Sequence, residues 1–589
     1  MMTILDLSLR SETGQQYTTT RRAVRLSVDN LNVGFSRNGT VRPVVKNVSF
    51  DLEEGQCVAI VGESGSGKSV TARTLVGLTG SNAIIDAGGI RLGDDDLTTL
   101  SAQRWRSIRG RRIGFILQDA LVSLDPLRPV GKEIEEALAL HGWGDRRSRK
   151  LKVLDLLTSV GVPSPDNRAR QRPDELSGGL RQRALIASAI ALDPEIVIAD
   201  EPTTALDVTV QAQVLLLLED MKRRGTSIIL ISHDLSVVAH LADQILVMSG
   251  GEVVEQGTAH QILTEPRHPY TKSLINAVPS RDTRGSRLAP APEVAPVHTA
   301  AHANDEHAAF DGPVLEATGL VKRFTAPDGT RTTAVNDVSF TLARGETLGI
   351  VGESGSGKST TARIALALEN ADAGTVRLLG QVWSAVPETR RRRLRKQISV
   401  VYQDPLSSFD PRWTTERILL DSLPTGAFSS AAQRRERVLA LLAQVGLPDT
   451  VLHRFPLQLS GGQRQRVAIA RALAPSPSIV VLDEAVSALD VSIQAQILDL
   501  LVDLQKEFGL SYLFISHDLG VISHMSDHVL VMKDGCVVES GTADQVFTAP
   551  AHPYTRELLG ALPTLDEHRS VSVSAAAASV PAATEGSTP

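Results

Sequence analysis

The nine residues VGESGSGKS stand at Val61–Ser69 and again, unchanged, at Val351–Ser359. Gly62–Ser69 and Gly352–Ser359 each fit the pattern G-x-x-x-x-G-K-[ST]. Each copy follows a short aliphatic run, Val58–Val61 or Leu348–Val351, and precedes a helical pattern. That context predicts a buried strand, a glycine-rich turn and a helix. Such a turn lets successive backbone N–H groups point inward around phosphate oxygens, and the helix N-terminus adds a favourable dipole. Lys68 and Lys358 are placed to reach the outer phosphates, and Ser69 and Ser359 to ligate Mg²⁺. The candidate phosphate-holding residues are therefore Gly62, Ser64, Gly65, Gly67, Lys68 and Ser69 in the first copy. In the second they are Gly352, Ser354, Gly355, Gly357, Lys358 and Ser359.

Outward from these loops the whole chain repeats. ISHDL occurs at Ile231–Leu235 and Ile515–Leu519, ALDV at Ala205–Val208 and Ala488–Val491, and HPYT at His268–Thr271 and His552–Thr555. A nearly constant spacing of roughly 285 residues is far too long for a solenoid and means two tandem domains. They are expected at 24–279 and 314–564, with residues 1–23 a flexible N-terminus and 565–589 a disordered tail. Between them, 280–313 is rich in Ala and Pro, with Pro290, Pro292 and Pro296 against a continuous helix. A coil of that length spans ~30 Å on average and ~110 Å fully stretched, enough for the two domains to face each other. Ile196–Ala199, Ile228–Ile231, Ile479–Leu482 and Leu513–Ile515 also read as buried strands. Short aliphatic runs alternating with helices imply an α/β sheet covered on both faces. Mostly helical stretches lie near Lys132–Arg170 and Ser429–Arg454.

Composition narrows the function. The 589 residues carry 61 Lys and Arg against 67 Asp and Glu, a net charge of −6 that argues against a general polyanion binder. Two cysteines, Cys57 and Cys536, exclude a disulfide framework or a four-thiolate cluster within the chain; neither is shared between the copies, and both read as structural. No apolar run approaches the ~20 residues needed to span a bilayer. Met1–Gln16 carries Asp6, Arg10 and Glu12 and no signal-type hydrophobic block. The chain is expected to be cytosolic, reaching a membrane only through a partner.

Two further motifs carry chemistry. IVIADE ends at Asp200–Glu201 and IVVLDE at Asp483–Glu484. A strand ending in carboxylates sets Asp200 and Asp483 beside the metal and leaves Glu201 and Glu484 to polarise an attacking water. LSGGLRQR at Leu176–Arg183 and LSGGQRQR at Leu459–Arg466 put a Ser and paired Gly before a helix, a second anion cradle in each copy.

Together these motifs resemble those of the ATP-binding cassette (ABC) ATPases, whose signature is the LSGG block. The resemblance covers both repeats. It implies two tandem nucleotide-binding domains, each with a RecA-like α/β core, an antiparallel β part and a helical subdomain. It implies ATP and Mg²⁺ as cofactors and further roles for particular residues. Gln118 in FILQD and Gln403 in VYQDP match the glutamine loop that touches Mg²⁺ and senses the transmembrane partner. His233 and His517 match the switch histidine at the γ-phosphate, and Asp207 and Asp490 the loop linking the sites. Phe35 and Phe324 match the aromatic that stacks on adenine. The resemblance also implies head-to-tail closure. Lys68, Ser69, Asp200 and Glu201 would share one nucleotide with Ser460, Gly461 and Gly462. Lys358, Ser359, Asp483 and Glu484 would share the other with Ser177, Gly178 and Gly179. Leu180 stands where the family usually has Gln, and Ala485 where it usually has Pro.

The segments EPRHPYTKSLINAVP and APAHPYTRELLGALP that end the copies resemble the C-terminal extensions of ATPases in oligopeptide, dipeptide and nickel importers. This resemblance implies a fused double-cassette ATPase on the cytoplasmic face of the cell membrane, powering import of di- or oligopeptides. Its partners would be two transmembrane permease subunits and an extracytoplasmic substrate-binding protein, with no nucleic acid. The alternative is a soluble twin-cassette ATPase acting on ribosomes or nucleic acid. That class joins its cassettes by a long charged helical arm, unlike the Pro-broken 280–313 stretch. A sugar importer is disfavoured by the HPYT tails.

Overall fold

The computed structural model describes residues 23–37, 39–118, 123–203, 206–290, 310, 312–325, 329, 331–487 and 489–560. The expected N-terminus 1–23 lies almost wholly outside these residues, as do most of 291–313 and the tail 565–589.

Each half holds a six-stranded sheet of the same order. In the first half it runs Glu252–Thr258, Gln244–Ser249, Cys57–Val61, Ser227–Ile231, Ile196–Asp200, Ile113–Ile116. In the second it runs Cys536–Thr542, His528–Lys533, Thr347–Val351, Ser511–Ile515, Ile479–Asp483, Ile398–Val401. The inner strands pair in parallel, and only the edge strand after each phosphate-loop neighbour turns antiparallel. Every residue of Cys57–Val61, Ser227–Ile231 and Ser511–Ile515 is buried, as continuous aliphatic strands covered on both faces must be. The Cys57 thiol is among them, and burial pushes its pKa up. The predicted strands all form, each extended by a residue or two into polar flanks such as Ser227 and Asp200.

A smaller antiparallel sheet leans on each core. It pairs Val24–Arg37 with Thr40–Glu53 in the first half and Leu315–Thr325 with Arg331–Leu342 in the second. Along Thr40–Glu53 the buried residues Val48, Phe50 and Leu52 alternate with exposed ones, so one face meets the core and the other meets water. The helical part comprises Val130–Leu140, Arg146–Ser159 and Gly178–Ala189 in the first half. Its counterpart comprises Thr415–Asp421, Ala431–Gln444 and Gly461–Leu473. Buried Ile134, Leu138, Leu156 and Leu157 hold the first set together, and Ile418, Leu419, Leu441 and Leu442 the second. Among the described residues no helix is long and apolar enough to cross a membrane.

The two halves share one apolar cluster, which contains Leu274, Ile275 and Leu288 together with Leu501, Leu504 and Ile522. This departs from the expected tether. Ser280–Ala289 does not leave the surface as free coil but lies docked on the second half. Leu288 is buried, and the N–H groups of Leu288 and Ala289 donate to the buried Asp499 carboxylate at 3.1 and 2.9 Å. Arg287 pairs with Asp503 at 2.9 Å and Arg284 with Asp527 at 3.0 Å. Thr283 Oγ1 meets His524 Nδ1 at 3.0 Å. The approach is close enough that a Cβ on Gly520 would stand 2.5 Å from the Pro279 carbonyl oxygen; the first half carries Ser236 at the matching position. Proline and alanine content predicts coil, but the Arg-x-x-Arg-Leu spacing finds an acidic surface some 210 residues away.

Asp499→Ala removes the acceptor of two N–H groups and one partner of Arg287. The lost bonding costs about 1–3 kcal/mol, roughly 5–150-fold in local opening. Trypsin cleavage after Arg281, Arg284 and Arg287 is expected to quicken by that factor in limited proteolysis; an unchanged cleavage rate refutes the docking.

Candidate functional site

Both phosphate loops leave the C-terminal end of a central strand, the place where open α/β sheets bind ligands. A side chain at Gly62 or Gly352 is impossible: its Cβ would lie 2.1 Å from the carbonyl oxygen of Met248 or Met532. Gly67 and Gly357, in the left-handed region, open the helices Lys68–Leu75 and Lys358–Ala365. Lys68 Nζ donates to the carbonyls of Gly62 (2.6 Å) and Glu63 (2.9 Å). Lys358 repeats this with Gly352 and Glu353, both at 2.7 Å. Burial lowers the pKa of both ammonium groups, opposed at Lys68 first by Asp490 and at Lys358 first by Glu484.

The acids close in from the neighbouring strand. Ser69 Oγ donates to Asp200 Oδ1 at 2.9 Å, and Ser359 Oγ to Asp483 Oδ1 at 3.1 Å. Burial raises both carboxyls, with the serine hydrogen bond opposing it. Asp200 Oδ2 is buried without a hydrogen-bond partner among the described residues. Glu201 Oε2 accepts Gln118 Nε2–H at 2.7 Å and lies 3.3 Å from His233 Nδ1. Glu484 Oε2 has the same neighbours, Gln403 at 2.7 Å and His517 at 3.5 Å. Burial alone would lower each imidazole, but the hydrogen bond and charge of the glutamate outweigh it, and both are raised. The His517 hydrogen bond in turn holds Glu484 below the usual carboxylate range. Both glutamates have left-handed backbones, φ 52° and 50°, and their N–H groups donate to the carbonyls of Ile231 and Ile515 at 2.9 Å. A bulky residue there costs about 1–2 kcal/mol, and its recurrence in both halves marks a built feature. The motif reading gave no sign of it.

The halves meet at these loops. Ser64 donates from its N–H (2.9 Å) and its hydroxyl (2.7 Å) to Asp490 Oδ1 of the other half. On the opposite seam the Thr209 hydroxyl donates to the Glu353 carboxylate. There Ser177, Gly178, Gly179, Asp207 and Val210 line a cleft of ≈ 750 Å³ with Ser354 of the second half, a volume ordinary for small-ligand sites. Each signature serine caps its helix: Ser177 accepts Leu180 N–H at 3.4 Å, and Ser460 accepts Gln463 N–H at 3.3 Å. Only the second is reciprocated, because the Gln463 side chain accepts Ser460 N–H at 3.1 Å and Leu180 cannot. The second glycine of each pair is the crowded one, where the next helix crosses: a Cβ on Gly462 would stand 2.7 Å from Ile493, and one on Gly179 3.3 Å from Val210. Gly461 is near Leu489 only. Gly65 and Gly355 have open space about them. Phe35 is half-buried and Phe324 exposed, on the antiparallel sheets, with Lys322 Nζ 5.3 Å over the Phe324 ring.

One pair went unread in the sequence. Tyr270 and Tyr554, from the HPYT motifs, reach the phosphate loops of their own halves and accept the N–H of Glu63 (3.0 Å) and Glu353 (3.3 Å). A polar atom at the tip of a motif aromatic was the available signal.

Two glycine loops, each with a buried lysine, a serine–aspartate pair and a histidine-braced glutamate, define a nucleoside-triphosphate hydrolase. The chain belongs to the ABC transporter family, which it matches over residues 45–204 and 335–487, and it is an ATP-binding ATPase of that family. Residues 254–304 and 538–588 match the family described as oligopeptide/dipeptide transporter, C-terminal region. The chain is similar to the glutathione import ATP-binding protein GsiA of Escherichia coli K12, 42% identical over 567 residues that cover 92% of this chain and 90% of the relative. The GsiA proteins of Shigella dysenteriae (43%) and Pectobacterium atrosepticum (42%) have the same coverage.

Glu201→Gln is expected to lower the His233 pKa, because burial then loses its main opponent and Asp234 and Asp490 remain as weaker ones. The sign follows. A raised imidazole stabilises the fold fully below its ordinary value and loses that contribution as pH rises through the raised one. The wild type's stability advantage over the variant is thus greatest on the acid side of neutrality, above the carboxylate range, and fades upward. Histidine titration by NMR checks the first point and melting temperature against pH the second; an unmoved His233 titration refutes the coupling.

Proposed function

We propose that this chain is the ATPase subunit of an importer for small peptides, with glutathione-type tripeptides within its range. The observation that carries the reading is the seam, where Ser64 of one phosphate loop hydrogen-bonds Asp490 of the other half. The HPYT tails and the full-length similarity to glutathione import proteins support the cargo class.

In this reading each ATP lies between the phosphate loop of one half and the signature of the other. Lys68 and Ser69 would act with Ser460, Gly461 and Gly462, and Lys358 and Ser359 with Ser177, Gly178 and Gly179. The residues fit Mg²⁺. Ser69, Asp200 and Gln118, or Ser359, Asp483 and Gln403, offer the hard oxygen donors it prefers, and the unpartnered Asp200 Oδ2 supports this. When bound, the ion neutralises phosphate charge. Glu201 and Glu484 accept the proton of the attacking water, and His233 and His517 hold each glutamate's orientation. Phe35 and Phe324 are assigned to adenine. ATP favours the closed seam because its γ-phosphate is reached from both halves, and ADP lacks that group. The open–shut stroke is passed to two transmembrane permease subunits docked near Gln118 and Gln403, on the cytoplasmic face of the membrane. An extracytoplasmic binding protein delivers the peptide.

Replacing Glu201 and Glu484 together with Gln is expected to slow ATP hydrolysis by about 10²–10⁴-fold while ATP still binds. Turnover near wild type in that double variant removes the assigned base. Ser460→Arg is expected to weaken nucleotide crosslinking at Lys68, in the opposite half; loss confined to the Lys358 side overturns the head-to-tail pairing. Purification from membranes is expected to bring down two hydrophobic permeases, whereas ribosomes as the main companion would refute the importer.

A further inference from the structure

The histidine, proline and tyrosine of each HPYT motif have a structural part. The carboxylate of Glu255, on the strand Glu252–Thr258, accepts the N–H groups of Arg267 (2.8 Å) and His268 (3.0 Å). Glu539 does the same for Ala551 (2.7 Å) and His552 (3.1 Å). His268 Nδ1 then accepts Tyr270 N–H at 3.2 Å, and His552 Nδ1 accepts Tyr554 N–H at 3.2 Å. Pro269 and Pro553 take the first helical position, where no N–H is needed. The start of the tail helix is thereby fixed to the edge strand of its own core sheet, and the tyrosine is fixed with it.

The phenol of Tyr270 accepts the N–H of Glu63. That N–H belongs to the Gly62–Glu63 peptide, whose carbonyl, on Gly62, holds Lys68 Nζ at 2.6 Å. One rigid peptide plane thus has the tyrosine on one edge and the lysine on the other. The second half repeats the arrangement with Tyr554, the Gly352–Glu353 peptide and Lys358. The loops are also held from across the seams, Ser64 by Asp490 and the Glu353 side chain by Thr209. Burial raises both phenols to about 12, with nearby carboxylates adding to it, so each stays a neutral hydroxyl. The halves differ in one respect. Lys533 Nζ stands 4.3 Å over the Tyr554 ring, whereas the matching residue in the first half is Ser249.

We propose that the tyrosine of each HPYT motif is a positioning residue for the phosphate loop, setting through one peptide plane where Lys68 or Lys358 stands for the nucleotide. The proposal rests on the reading that these loops hold ATP. It gives the importer-type tail a task inside the ATPase: the tail braces the loop from its own half while the opposite half braces Ser64 in one loop and the Glu353 side chain in the other.

The test uses the full chain with Tyr270→Phe, Tyr554→Phe and both together, which remove the acceptor oxygen and keep the ring. Losing one hydrogen bond of ordinary worth predicts an ATP Kd raised about 2–12-fold in the double variant. KM for ATP is expected to rise more than kcat falls. Amide exchange at Glu63 should quicken in Tyr270→Phe, and less at Glu353 in Tyr554→Phe, whose ring Lys533 still holds. Unchanged Kd, KM and loop exchange overturn the assignment, as does a lowered melting temperature with all three unchanged, which would make the tyrosine merely structural. Exchange of residues 61–69 and 351–359 with and without ATP separates the two levels. If ATP protects these loops equally in wild type and variants, only the tyrosine assignment fails. If ATP leaves the wild-type loops unprotected, the nucleotide reading fails and the assignment with it.

Discussion

The contact from Ser64 to Asp490 is the constraint on which the rest of the seam depends. A single carboxylate oxygen takes both the backbone and the side-chain donor of a residue at the tip of the phosphate loop. Charge-assisted bonds of this kind are roughly twice as strong as neutral ones, and they are directional. They form because the loop after the strand Cys57–Val61 faces the turn before the helix Val491–Phe508 of the other half. The shared apolar cluster and the docked segment Ser280–Ala289 hold the halves in this arrangement. The duplication of the sequence thus has a physical reason: the carboxylate that bonds Ser64 comes from the other half.

The two seams use similar residues but are braced differently. Asp207 and Asp490 occupy equivalent positions, yet Asp207 caps its own helix by accepting Val210 N–H at 2.9 Å while Asp490 reaches across. The crossing on the other side falls to Thr209. The signature of the first half has one capping bond where the second has two, because Leu180 replaces a glutamine. The segment between the halves rests on the helix that follows His517, where Gly520 makes room, and no such approach is possible at Ser236. A chain whose halves are joined in one order has no reason to keep them equivalent, and these substitutions record where they have diverged.

Much of this was legible in the sequence because the informative groups fall in short contiguous windows. Lys68 with Ser69, Asp200 with Glu201 and Ser177 with its glycines are each fixed by spacing within a few residues, and the fold brings the windows together in the expected strand–turn–helix settings. The core strands were equally plain, since aliphatic runs this short, bounded by turn residues, read as buried strands. What could not be read depends on contacts between distant windows. The tyrosine hydroxyl meets a backbone N–H some 207 residues earlier, and the stretch that looked like coil finds its acceptor some 210 residues later. Composition describes a segment's own preferences and says nothing of the surface it will meet.

The left-handed glutamates show how a local rule is broken for the site. Asp200 closes the strand Ile196–Asp200 and points its carboxylate at Ser69. In extended backbone the next side chain would point to the opposite face, so two successive acids could not serve one pocket. At Glu201 the chain leaves the strand through a positive φ, and the carboxylate swings to Gln118 and His233 instead. The N–H bond to Ile231 and the two side-chain contacts offset the cost of that conformation. Glu484 makes the same turn with Ile515, Gln403 and His517. The Asp and the Glu at each strand end therefore meet different partners only because the backbone between them abandons the geometry that the strand itself prefers.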